Sequence, residues 1–89
     1  MEKMRSYPYY VTATDTFMSG WGCAEGLINK VAIGCDTYDE AIAVKRCLRE
    51  RKEMKYINVT TKVPVYSPSR YLISWYHFDA NAPYRFSRR

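Results

Sequence analysis

The sequence predicts an α+β fold, a single four-stranded antiparallel sheet with one helix packed on one face, in the order strand, strand, helix, strand, strand. Three observations predict it. Aromatic residues make up 16% of the chain, nine of them tyrosine, and aromatic and β-branched residues favour sheet over a helical bundle. Four segments alternate apolar and polar residues with a period of two. Only one segment carries apolar residues at helical spacing behind a capping signal. A chain of 89 residues supports one core, so residues 1–89 form a single domain, with 79–89 a basic, aromatic C-terminal tail.

Residues 7–17 are the first strand, with Tyr9, Val11 and Ala13 on one face and Tyr10, Thr12 and Thr14 on the other. Pro8 cannot donate to a ladder and suits a strand start or an edge. Residues 29–35 are the second strand, placing Val31, Ile33 and Cys35 opposite in face to Lys30, Ala32 and Gly34. Its simplest pairing is antiparallel to the first. Thr37-Tyr38-Asp39-Glu40 matches a capping box, with the Thr37 hydroxyl accepting from the Glu40 amide and the Glu40 carboxylate returning to the cap amide. Ala41, Val44, Cys47 and Leu48 then form an apolar stripe, so a helix over 38–53 lays a small-residue face on the sheet. Its acidic residues come first and its basic ones last, the order the helix dipole favours.

Lys55 to Val63 is the third strand, with Ile57, Val59, Thr61 and Val63 inward. Pro64 ends it, and the turn around Pro68 leads to a fourth strand over 70–78 that is aromatic on both faces. Tyr71, Ile73, Trp75 and His77 line one side of it; Leu72, Ser74, Tyr76 and Phe78 line the other.

Ser19 to Gly26 interrupts the first two strands and holds three of the four glycines. Such spacing points to a shaped loop rather than a two-residue hairpin turn. Trp21, between two glycines, either folds back as a lid on the core or projects as an anchor for a partner.

Several function classes find no support. No apolar run has the length of a membrane span, and the first residues lack a signal-peptide pattern, so a cytoplasmic location is expected. Cys23, Cys35 and Cys47 stand twelve residues apart with one histidine, His77, which fits neither a structural zinc site nor a disulfide framework. All three are read as reduced and largely buried. His77 has no evident nucleophile partner, and the glycine loop lacks the phosphate-cradle spacing. The expectation is no catalytic residue, no metal and no cofactor.

The net charge of +5 is concentrated late: Lys62, Arg70, Arg85, Arg88 and Arg89 face Asp79 alone after residue 61. On the helix, Glu50 and Glu53 interleave with the basic residues, as on a solvated face. One helix leaves the second sheet face open unless something covers it. An aromatic platform of Tyr10, Tyr56, Trp75 or Tyr76 there would stack nucleic-acid bases, dock a protein, or be buried by a symmetric copy or the tail. The nucleic-acid version would use Lys62, Arg70, Arg85, Arg88 and Arg89 for phosphates.

The run Thr14-Asp15-Thr16-Phe17-Met18-Ser19-Gly20-Trp21-Gly22 with Ala24-Glu25-Gly26 resembles short reading frames of phages and mobile elements in Gram-positive bacteria. Tyr38-Asp39-Glu40-Ala41 and Met54-Lys55-Tyr56-Ile57-Asn58 look like the same family, so the resemblance spans about residues 9–64. Such frames often encode inhibitors of host defence, anti-CRISPR proteins among them. The resemblance therefore implies a non-enzymatic protein that binds a host defence effector, such as a CRISPR effector, and blocks it sterically. Trp21, Glu25, Tyr71, Trp75 and Tyr76 are the expected contact residues. The alternatives are a small nucleic-acid-binding module and a homodimeric accessory protein.

Overall fold

Four strands and one helix appear in the expected order in the computed structural model, which describes residues 6–17 and 19–78. They are β1 (Tyr9–Asp15), β2 (Ile28–Cys35), α1 (Tyr38–Arg49), β3 (Met54–Thr60) and β4 (Tyr71–His77), with a 3-10 turn (Gly22–Ala24) between β1 and β2. The sheet order is β3-β1-β2-β4.

β1 pairs antiparallel with β2 and with β3, Val11 standing between Ile33 and Val59. β4 does not continue the antiparallel pattern. It runs parallel to β2, with Ala32 beside Trp75 and Gly34 beside His77, so the sheet is mixed. The connection explains why. β3 ends on the Tyr10–Gly34 row and β4 begins beside Ile28, so residues 61–70 must cross both inner strands. That diagonal is about 25 Å, and a chain of this length reaches well beyond 30 Å when extended. Pro64 lies in its irregular first part, and Pro68 sits in the turn closed by Ser67 and Arg70 that leads into β4. α1 makes the other crossover, from β2 to β3 past β1, on the opposite face. Passing on opposite faces in opposite directions, the two crossovers share one hand.

α1 begins as its capping signal requires: Thr37 Oγ1 accepts from the Glu40 amide at 3.1 Å. The return arm lands one residue earlier than expected, with the Asp36 amide donating to Glu40 Oε1 at 2.8 Å. The helix stops at Arg49 rather than 53, because Arg51 to Glu53 turn to bring Met54 beside Asp15. Its buried face, Ala41, Val44 and Leu48, closes over Val11, Ala13, Val31, Ile33, Cys35 and Met54. Cys47, Ile57 and Val59 pack around this core as half-buried neighbours. Burial of each larger aliphatic side chain contributes about 1.5–3 kcal/mol. Thr61 and Val63, expected inward on a longer third strand, are exposed in the crossover.

The second face is not open. Tyr10 on that face is 1% exposed, Thr12 7% and Ala32 0%. The chain covers it from two sides. The ring of Tyr7 lies against Gly34, and the Tyr7 amide donates to the Tyr10 hydroxyl at 3.0 Å. The 61–70 crossover brings Tyr66 onto Lys30, whose ammonium sits 5.4 Å from that ring. Tyr7 and the 61–70 crossover thus cover part of the face expected to be open, and the tail over 79–89, one of its expected occupants, lies outside the described residues.

Candidate functional site

Backbone hydrogen bonds fix the shape of the glycine loop before any side chain is considered. Asp15 ends β1 and turns the chain by accepting the Phe17 amide on Oδ1 at 3.1 Å. Ser19 then ties both strands together: its hydroxyl donates to the Asp15 carbonyl at 2.9 Å and accepts the Asn29 amide at 3.0 Å. Gly20 and Leu27 close the neck of the loop, Gly20 donating at 2.9 Å. Gly20 and Gly26 hold φ of 85° and 77° with no heavy atom near a would-be Cβ, so backbone conformation, not crowding, requires glycine there. Inside, the Ala24 amide donates to Trp21 and the Leu27 amide to Ala24, and the buried Ala24 plugs the turn onto the body beside β4.

Trp21 points away from this framework. It stands at the N-cap of the 3-10 turn in extended conformation and is 70% exposed, so it projects into solvent and does not fold back as a lid on the core. Phe17, which the sequence reading did not single out, is 62% exposed at the same end of the sheet. Its signal was its position, the first apolar residue after the strand's alternation breaks at Asp15-Thr16. Glu25 is exposed and closes the 3-10 turn through its amide.

The aromatic residues of β4 divide between the faces. Tyr71, beside Ile28 at the loop end, is half-buried and leans on Tyr66 with ring centroids 5.2 Å apart. Trp75 lies on the same face, partly exposed, with its ring edge-on to Tyr10 at 6.4 Å. Tyr76 turns to the helix face and packs on the core, which removes it from any surface shared with Trp75. The expected platform loses Tyr76 to the helix face and Tyr10 to burial, while Tyr56 is exposed on a β-bulge with φ of 54°.

Lys30 is the charged centre of the covered face. Its ammonium donates to Thr14 Oγ1 at 2.6 Å and stands 5.4–6.0 Å from the rings of Tyr56, Tyr66 and Tyr71. Those distances are at the outer limit of cation–π attraction, so each ring contributes toward the low end of about 0.5–2 kcal/mol. Burial meanwhile pushes the Lys30 pKa down. Lys62 and Arg70 are exposed in the crossover, whereas Arg85, Arg88 and Arg89 lie outside the described residues.

No protein-family model matches the chain, and no curated protein or solved structure is significantly similar to it.

Among the described residues no three His, Cys, Asp or Glu side chains gather as metal ligands. His77 is exposed, with Nδ1 3.3 Å from the Phe78 carbonyl. Cys35 is buried beside Glu40 and Asp36, and burial first, then those two carboxylates, pushes its thiol up to about 12. Cys47 is half-buried, and the Cys23 side chain lies outside what is described. No helix of the described residues is long and apolar enough to cross a membrane.

Proposed function

We propose that this chain is a non-enzymatic binding protein that grips a protein target through the Trp21 loop and blocks it sterically. The observation that carries the reading is the 70% exposure of Trp21 on a loop pinned at both ends by Ser19 and by the Gly20–Leu27 bond. Monomeric proteins usually bury much of a tryptophan, and tryptophan is enriched among residues that dominate interface energies. A large ring on a fixed backbone also loses little freedom on binding. Phe17 and Tyr71 add apolar area at the same end, and Glu25 supplies a carboxylate at the rim.

Joined to the resemblance of residues 9–64 to short phage and mobile-element frames, this surface fits an inhibitor of host defence, anti-CRISPR-like, with a CRISPR effector as the target class. The covered second face weakens base stacking as an alternative, leaving exposed Lys62 and Arg70 among the described candidates for phosphate contact. A pull-down of tagged protein from bacterial lysate, with and without nuclease, tests the reading. A stoichiometric protein partner that survives nuclease and is lost with Trp21→Ala supports it. Recovery of nucleic acid alone, abolished by nuclease, replaces it with the binding-module reading.

A further inference from the structure

We infer that β4 is a self-pairing edge, and that two copies of this chain join antiparallel through it into one continuous eight-stranded sheet. The inference is independent of the Trp21 loop. It starts from the backbone. The Ile28 amide donates to the Arg70 carbonyl and the Phe78 amide to the Gly34 carbonyl. In a parallel ladder those bonds assign the even-numbered residues of β4 to β2. The amides and carbonyls of Ile73, Trp75 and His77 and the carbonyl of Tyr71 therefore point outward from the sheet, while the Tyr71 amide is held by the Ser67 carbonyl at 2.9 Å.

The two edges of the sheet are protected differently. β3 carries a bulge, a left-handed Tyr56 and the charge of Lys55, all devices that discourage another strand from adding. β4 has none of them: it is seven residues long without proline, bulge or formal charge. α1 lies chiefly over β3, β1 and β2, leaving the helix face of β4 at Leu72 and Ser74 half-buried, and Tyr71 and Ile73 on the other face are half-buried too. Apolar side chains on both faces of β4 are left short of cover.

A second copy supplies that cover without introducing charge. A two-fold axis through Ser74 sets Ile73 opposite Trp75 of the second copy, Tyr71 opposite its His77, and Leu72 opposite its Tyr76. Aromatic residues facing β-branched or other apolar residues are favourable cross-strand pairs. The seam carries no formal charge although the chain as a whole carries +5, so like charges stay off it. With the Tyr71 amide already taken by Ser67, the outward residues of the two copies would exchange about six backbone hydrogen bonds. The axis is perpendicular to the sheet, so both helices lie on one face and the two Trp21 loops stand at opposite ends.

Sedimentation equilibrium of the whole chain from micromolar to millimolar concentration tests the pairing, combined with amide exchange. The expected result is a shift from one chain to two, with the Ile73 and Trp75 amides exchanging at least about tenfold more slowly in the dimer. Ile73→Lys, which sets two like charges near the axis, should return the protein to monomer with its circular dichroism unchanged. Trp75→Pro, which removes one outward donor without touching the β2 ladder, should do the same. A monomer at every concentration overturns the inference. So does a dimer that either folded variant leaves intact, or one that Trp21→Ala abolishes.

Discussion

The ring of Tyr7 occupies the space that a side chain at Gly34 would fill. Gly34 lies on an inner strand, where glycine ordinarily costs stability, and here its missing Cβ lets the first aromatic residue before β1 close one end of the second face. Gly34→Ala is expected to expel the ring and cost about 1–3 kcal/mol, the usual range for overpacking. Loss of the Tyr7 amide bond to Tyr10 adds to that cost. In a Tyr7→Ala background the same substitution should cost much less. Urea denaturation of the four proteins measures the coupling, and additive costs would refute the contact.

Lys30 titrates differently in the folded and unfolded chains. Burial lowers its folded pKa below 10.5, so the folded state binds that proton less tightly than the unfolded chain does. The group therefore opposes folding where both states are charged, and the opposition fades as pH rises through the folded value toward 10.5. Lys30→Met is expected to flatten that upward component in the difference curve against the parent protein. Denaturant midpoints between neutral pH and 10.5 give the curve, and parallel curves would count against it.

Cys35 and Cys47 should separate cleanly in reactivity. Cys35 is buried in the core, and with its thiol pushed up to about 12 it is almost wholly protonated at neutral pH. Native-state alkylation followed by peptide mapping should label Cys47 and leave Cys35 unmodified until urea unfolds the chain. Equal labelling in the native protein would contradict the burial.

Trp21→Ala removes an exposed ring, so the fold should lose no more than about 0.5 kcal/mol. A partner held by that ring should lose more than about 2 kcal/mol of binding. Thermal melts and titration of the captured partner separate the two quantities. A collapse in melting temperature would mean that the ring supports the fold.

Much of the architecture was legible in the sequence because alternation and capping are local signals. Val11, Ala13, Val31, Ile33, Ile57 and Val59 sit on the helix face as their spacing requires. The direction of β4 was not read correctly, since a period of two reports which face a side chain takes and not which strand lies beside it. The ten residues between Thr60 and Tyr71, stiffened by Pro64 and Pro68, were the available sign that no tight hairpin joins them. Periodicity is silent inside a loop, so the exposure of Trp21 and Phe17 could be settled only by the path of the backbone through Ser19. The bulge at Tyr56 had no counterpart in composition or spacing.

Tyr10, Gly34 and His77 lie on one row across the sheet, so β1 begins and β4 finishes at the same end, while the Trp21 loop lies at the other. The gap along the strands is about 20 Å. Polypeptide joined before β1 or after β4 would leave the sheet at the end remote from Trp21. Among the described residues the chain thus enters and leaves the sheet on the side away from the tryptophan, which stands at the opposite tip.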